Sequence, residues 1–285
     1  MRLFPLLITA ALVLSPLHVR AEILVKTGET VAFLGDSITG QGTATPGGYV
    51  RLVESGLATN GVAITVIPAG ASGHKSTEML ARLEKDVLSK KPTWMTLSCG
   101  VNDVMHNERG VPLEDYKRNI TEILDRCQQA GIKVMVLTAT QIYLPVTNEW
   151  NTKLVGYNDF LRETAKARNL PLADLNAAMA AEQAAFEKAG TKRSLTFDGV
   201  HMSIYGNLMM AKGVLAAFGL NAEQIAAAEA RWKNIPEVFQ TNAKLKLTLN
   251  DLAALEAHAA SQNKTVEAVL NEVSTEAVNA LIKTR

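Results

Sequence analysis

Cysteine is scarce in this chain: Cys99 and Cys127 are the only two among 285 residues. That excludes a disulfide scaffold and a cysteine-rich zinc site. An excess of either charge is also missing, with 29 basic against 28 acidic side chains and a net charge of +1. No basic stripe or long run of like charge interrupts the balance, so nothing draws the chain toward nucleic acid. The phosphate-cradling pattern G-x-x-x-x-G-K-[ST] does not occur, and Gly35 to Gly40 lacks the dinucleotide spacing. The nucleophile elbow G-x-S-x-G is absent too, which argues against an α/β-hydrolase. There is no internal repeat and no low-complexity tract. With 47% hydrophobic and 20% charged residues, the chain has the composition of a folded protein rather than a disordered one.

Long apolar runs are equally few. The first lies at the N-terminus, from Leu3 to Leu17, after a single Arg2. It is short and broken by Pro5 and Pro16, which suits a secretory signal peptide better than a membrane span. Val19 and Ala21 stand at the positions a signal peptidase reads, so cleavage is expected after Ala21. Residues 1–21 are then a signal peptide, and the mature chain works in the periplasm or outside the cell, without stable membrane insertion. An oxidising compartment permits a Cys99–Cys127 bridge. Their settings, a strand end and a helix, suit buried, unpaired thiols as well, and spacing does not decide between the two.

What is present is alternation. Apolar strands are predicted at Thr30–Gly35, Ile64–Ile67, Trp94–Ser98, Val134–Thr138 and Leu170–Asp174. Helices fill the gaps at Gly48–Thr59, Ser76–Lys90, Leu113–Ala130, Trp150–Arg168, Asn176–Ala189 and Ser203–Phe218. Continuous rather than alternating apolar strands suit a sheet covered on both faces. Strand and helix alternate five times, which implies an α/β fold with a parallel, doubly wound sheet. Ligands of such sheets bind outside the carboxyl ends of the strands.

Those ends carry the chemistry-bearing residues. Gly35-Asp36-Ser37 follows the first strand, and Gly70 and Gly73 follow the second. Gly100-Val101-Asn102-Asp103 follows the third, and Asp198-Gly199-Val200-His201 precedes the sixth helix. Taken alone, Ser37 fits a helix N-cap, the glycines fit turns, and Asn102-Asp103 fits a loop. Taken together, the four blocks resemble the SGNH (GDSL-type) hydrolases, whose name lists Ser, Gly, Asn and His in this order. The resemblance spans about Thr30 to Phe218. One departure is Pro68, where members of that family often carry Asn shortly before the glycine of the second block.

The resemblance implies a three-layer α/β/α, flavodoxin-like fold with a five-stranded parallel sheet. It assigns Ser37 as nucleophile, His201 as its base, and Ser37, Gly70 and Asn102 as oxyanion donors. The chemistry agrees. A serine hydroxyl needs a base to take its proton, and imidazole titrates in the working range. Asp198, three residues before His201, can fix the imidazole tautomer. A glycine lets backbone approach a substrate without a Cβ, and an asparagine amide donates at any pH. Asp36 and Asp103 are expected to bond loop backbone. His74, His106 and Arg109 sit near the same edge, and a metal site built from His74, His106 and Asp103 matches no zinc spacing. No metal or cofactor is expected.

The chain therefore reads as three parts: a signal peptide over 1–21, a hydrolase domain over 22–220 and a mainly helical extension over 221–285. The extension has a short alternating stretch at Lys244–Thr248, then helices over Asn250–Gln262 and to about Lys283. Its apolar positions Leu252, Leu255, Val266, Val269, Leu270 and Leu281 call for burial, on the hydrolase domain or across a homodimer. The expected function is an exported serine esterase acting on short-chain, acetyl esters of carbohydrate. Longer-chain lysophospholipase or thioesterase activity is the alternative, followed by a non-catalytic carbohydrate-binding relative. The partners are then a small-molecule or polysaccharide ester, and no nucleic acid.

Overall fold

The computed structural model describes residues 22–145, 147–236 and 249–283. The expected signal peptide and cleavage site, and the stretch Lys244–Thr248, lie outside the described residues. Contacts divide the chain into two units, Met1–Phe239 and Gln240–Arg285.

The first unit is built on five parallel strands: β1 (Thr30–Gly35), β2 (Thr65–Gly70), β3 (Trp94–Ser98), β4 (Lys133–Leu137) and β5 (Leu172–Ala173). Their order is β2-β1-β3-β4-β5, the flavodoxin-like order expected. The central strands explain why the sheet must be covered twice. Val31, Ala32, Phe33 and Leu34 are all fully buried, so side chains on both faces of β1 leave water. Fully burying a side chain of this size is worth about 1.5–3 kcal/mol.

The helices of this unit are α1 (Ser37–Ala44), α2 (Tyr49–Thr59), α3 (Ser76–Asp86), α4 (Val101–Met105), α5 (Leu113–Gln129), α6 (Glu149–Ala167), α7 (Leu175–Lys188), α8 (Ile204–Ala217) and α9 (Ala222–Trp232). One layer joins α2 with α8 and α9, and α7 with α8; the other joins α3 with α5 and α5 with α6. Helix α5 shows the reason for such packing. Tyr116, Ile120, Ile123, Leu124 and Cys127 recur at helical spacing and are buried, while Glu114, Lys117 and Arg118 face water.

Four differences from the sequence expectations have physical causes. The second strand runs through Pro68 to Gly70 rather than ending at Ile67. It is an edge strand, where a residue without an N–H breaks no ladder. The helix expected over Ser76–Lys90 stops at Asp86, and Leu88–Lys90 forms one separate 3-10 turn. Helix α1, unmarked by apolar periodicity, fills the segment after Ser37.

The fourth difference concerns the boundary expected at residue 220. Helix α9 packs on α2, and Trp232 is fully buried with its indole N–H donating to the Leu52 carbonyl at 3.1 Å. Ala228 is buried beside Gly56 of α2. The first unit therefore includes α9.

The second unit contains α10 (Leu249–Ser261) and α11 (Val266–Lys283), packed on each other. Ala259 and Val269 are buried, whereas Leu252 and Leu281 are exposed, so only part of the expected apolar set is covered. Among the described residues no helix is long and apolar enough to cross a membrane.

Two truncations test this division. Ending the chain after Phe239 should leave the thermal midpoint of the first unit unchanged by circular dichroism. Ending it after Leu220 should destabilise that unit by roughly 3–5 kcal/mol in urea titrations, the typical cost of removing one buried tryptophan.

Candidate active site

The turn after β1 leaves little freedom. A Cβ on Gly35 would lie 2.1 Å from Thr39 Oγ1, so only glycine lets α1 fold back over the strand end. Asp36 is the N-cap of α1, its Oδ1 accepting the Ile38 N–H at 2.9 Å. Ser37 is thus the first residue of the helix rather than its cap. Its own N–H belongs to the first turn, which has no intrahelical acceptor, and lies at the positive end of the helix.

Across the site, residues 194–203 form a tight loop. Thr196 bridges Met202, and the Phe197 N–H donates to the His201 carbonyl at 3.0 Å. At its tip Asp198 Oδ1 accepts the N–H groups of Val200 at 2.9 Å and His201 at 2.7 Å. The other oxygen, Oδ2, lies 2.6 Å from His201 Nδ1. The opposite ring nitrogen, Nε2, lies 2.8 Å from Ser37 Oγ, closing a link across 164 residues. Burial alone would raise the Asp198 carboxyl, but its bonds from the His201 ring and from the His201 and Val200 N–H groups hold it below the usual value. It therefore stays ionised as a partner for the ring.

Asn102 sits one residue into α4 and is buried. Its amide nitrogen donates to Asp36 Oδ2 at 3.1 Å and to the His74 carbonyl at 3.2 Å. His106 Nε2 lies 3.2 Å from Asn102 Oδ1. Asp103 accepts the Ser76 N–H at 2.9 Å and is approached by the Cys99 thiol. Asp36 and Asp103 thus bond loop backbone, as expected from the sequence. Both Cys99 and Cys127 are buried and free. Burial raises the Cys99 thiol, and neighbouring Asp103 and Asp36 add to that; burial pushes Cys127 up to about 12.

The two glycines of the second block differ. Gly70 is the last residue of β2, where an added Cβ would lie 2.2 Å from the Gly40 nitrogen. It is a packing glycine between β2 and α1. Gly73 has φ +75 and open space on its Cβ side. It precedes His74, whose carbonyl is bound to Asn102, so Gly73 is the glycine in the loop beside the Asn102 amide. Sequence spacing does not distinguish these two positions.

Arg82 has no motif to mark it. From α3 its guanidinium donates to the carbonyls of Gly35 at 2.7 Å and Ala69 at 2.9 Å, to Asp86 at 2.8 Å and to His74 Nδ1 at 3.0 Å. It ties the ends of β1 and β2 to the loop carrying His74. Arg109 contributes its N–H to the His106 carbonyl.

Residues 33–208 match the profile of the GDSL-like lipase/acylhydrolase family. An acetylxylan esterase of Geobacillus stearothermophilus is 26% identical over 215 residues, covering 68% of this chain and 95% of that protein. The esterase TesA of Pseudomonas aeruginosa is 31% identical over 110 residues, covering 38% of this chain and 53% of that protein. The crystal structure of the acetyl xylan esterase AlAXEase superposes with a TM-score of 0.61 at 32% identity. It covers 66% of this chain and 98% of its own.

Burial raises the Asp36 carboxyl to about 6, against the opposing influence of the Ile38 N–H and of His201. Its stabilising contribution is therefore fully present below the unfolded value near 3.8 and is lost as pH rises through about 6. Urea titrations of the wild type and of Asp36→Asn, which does not titrate, should show this. The wild type should gain stability relative to the variant as pH falls from about 6 to 4, by roughly 3 kcal/mol at most.

Proposed function

The chain belongs to the GDSL-like lipase/acylhydrolase family and is a carboxylic ester hydrolase; from that premise we propose that it removes acetyl groups from carbohydrate through an acyl-serine intermediate, outside the cytoplasm. The contact that carries the mechanism is His201 Nε2 at 2.8 Å from Ser37 Oγ, with Asp198 at 2.6 Å behind the ring. The choice of acetyl and sugar rests on the acetylxylan esterases it resembles along most of their length.

In this reading Ser37 Oγ attacks the ester carbonyl while His201 Nε2 takes its proton. Asp198 holds the ring with Nδ1–H toward its carboxylate and stabilises the imidazolium. The carbonyl oxygen becomes an oxyanion that needs donors already in place. The Ser37 N–H, at the head of α1, is one. The Asn102 amide is the second; it donates to Asp36 Oδ2 at 3.1 Å and to the His74 carbonyl at 3.2 Å, and one of these bonds is exchanged for the oxyanion as charge develops. A backbone N–H of the Gly70–Gly73 segment is the third, and Gly73 suits it better than Gly70, whose Cα packs against α1. The intermediate collapses as His201 gives its proton to the alcohol oxygen. Water, deprotonated by His201, then attacks the acetyl-serine, releasing acetate and restoring Ser37. No step calls for a metal or cofactor.

In the same reading the extension leaves this chemistry untouched and pairs two copies of the chain as a homodimer. Acetate release from native acetylated polysaccharides tests the activity, and a p-nitrophenyl ester series tests the acyl length. A steep fall beyond acetyl is expected, whereas rising rates with longer chains would favour the lysophospholipase or thioesterase reading. Ser37→Ala and His201→Ala should each lower kcat by about 10⁴-fold or more. Wild type and Ser37→Ala hydrolysing p-nitrophenyl acetate at the same slow rate would instead indicate a non-catalytic relative. Asn102→Ala should cost about 10²–10³-fold in kcat. Gly73→Ala should lower kcat with the fold intact, while Gly70→Ala should lower the thermal midpoint, because its Cβ meets backbone.

A further inference from the structure

Exposed apolar side chains gather around the loop that carries His201. Phe197 is 66% exposed, and its ring stacks on the His201 ring with centroids 5.8 Å apart and planes 16° from parallel. Tyr143 is 41% exposed and Leu144 62%. The Tyr143 N–H donates to the Gly199 carbonyl at 2.7 Å, and its ring occupies the space a Cβ on Gly199 would need, 2.1 Å away. Trp150 supports Tyr143 from behind, with centroids 5.5 Å apart. Two segments far apart in sequence thus place aromatic rings on one rim, immediately beside the ring that handles the proton. Exposed apolar clusters of this kind mark binding surfaces.

The proton path says which part of the substrate meets this rim. His201 Nε2 must give its proton to the departing alcohol oxygen, so that oxygen lies within hydrogen-bond reach of the ring. The acyl carbon and its oxyanion lie on the other side, toward Ser37, the Gly70–Gly73 loop and Asn102. Whatever the alcohol carries is therefore the part that extends over the His201 side. A sugar ring presents a face of C–H groups that can lie flat on an aromatic ring, with its hydroxyls left in water. Aromatic side chains supply that contact area at a low cost in conformational entropy. We propose that Phe197 and Tyr143 form a carbohydrate-binding rim that recognises the sugar of the leaving group, so that selectivity for the alcohol resides here and selectivity for the acyl group does not. The sugar part of this proposal rests on the deacetylase reading above; the assignment of the rim to the alcohol side rests on the geometry of His201.

Contacts that hold the substrate and the transition state equally show in KM rather than in kcat, and a rim that only docks the sugar is of this kind. Three substrates separate the sides of the ester: acetylated xylo-oligosaccharide, ethyl acetate, which has a minimal alcohol, and ethyl butanoate, which lengthens only the acyl chain. They are assayed by proton release at constant pH on wild type, Phe197→Ala, Phe197→Trp and Tyr143→Ala, with thermal midpoints measured for each. Phe197→Ala should raise KM for the oligosaccharide about tenfold, the size of one good aromatic contact. Its kcat/KM on ethyl acetate should stay within about twofold. Phe197→Trp should restore the oligosaccharide KM, and Tyr143→Ala should repeat the selective loss. Unchanged oligosaccharide kinetics in Phe197→Ala would overturn the proposal while leaving the deacetylase reading intact. So would an equal loss on all three substrates, or a loss confined to ethyl butanoate, which would put the rim on the acyl side. Wild type that cleaves ethyl acetate but releases no acetate from the oligosaccharide would overturn the deacetylase reading, and the sugar rim with it.

Discussion

Helix α1 lies against the ends of β1 and β2 with no room for a methyl group between them. A Cβ on Gly35 would strike Thr39, and one on Gly70 would strike Gly40. This close approach sets the position of Ser37, the first residue of the helix. The same constraint orients its neighbours: Asp36 turns inward to cap the helix and meet Asn102, and Arg82 collects the carbonyls of Gly35 and Ala69. The hydroxyl of Ser37 then meets His201 only because α8 and the loop before it are packed on the same layer as α2. The Tyr49 N–H, at the start of α2, donates to Asn207 of α8 at 2.8 Å, one of the bonds that join them.

Beneath the site the protein accepts an electrostatic cost. Asp36 and Asp103 are buried, and burial raises both carboxyls. Each holds a loop in place through backbone or amide donors rather than through a paired cation. Arg82, whose guanidinium reaches the Gly35 carbonyl next to Asp36, spends its donors on carbonyls, Asp86 and His74 instead. Such an arrangement trades stability for a network of donors and acceptors that fixes the loops around Asn102. On the opposite side Asp198 is more exposed, well hydrogen-bonded and ionised, and it serves the one imidazole.

Much of the fold was legible in the order of residues. Five strand cores, the parallel order and the flavodoxin-like arrangement follow from apolar runs alternating with amphipathic stretches. The misreadings have local causes. Helix α1 is rich in glycine and threonine, so no apolar stripe announces it. The break after Asp86 is set at Val87, a fully buried residue whose packing ends the helix. Helix α9 is alanine-rich, and alanine carries too little apolar area to reveal which unit it joins. The single buried Trp232 decides that.

The sequence by itself determined the sheet, its working edge and the residue types gathered there: Ser37, Asn102, Asp198 and His201 each stand beside a glycine or a turn that forces a strand or helix to end. These are short-range consequences of backbone sterics and apolar periodicity. Only the tertiary structure decided which glycine packs and which lines the loop by Asn102. It also decided that Arg82 braces two strand ends, and that Phe197 and Tyr143 share a rim with His201. Each of those depends on the distance between segments remote in sequence. That distance is set by how helices settle on a twisted sheet, which no local pattern encodes.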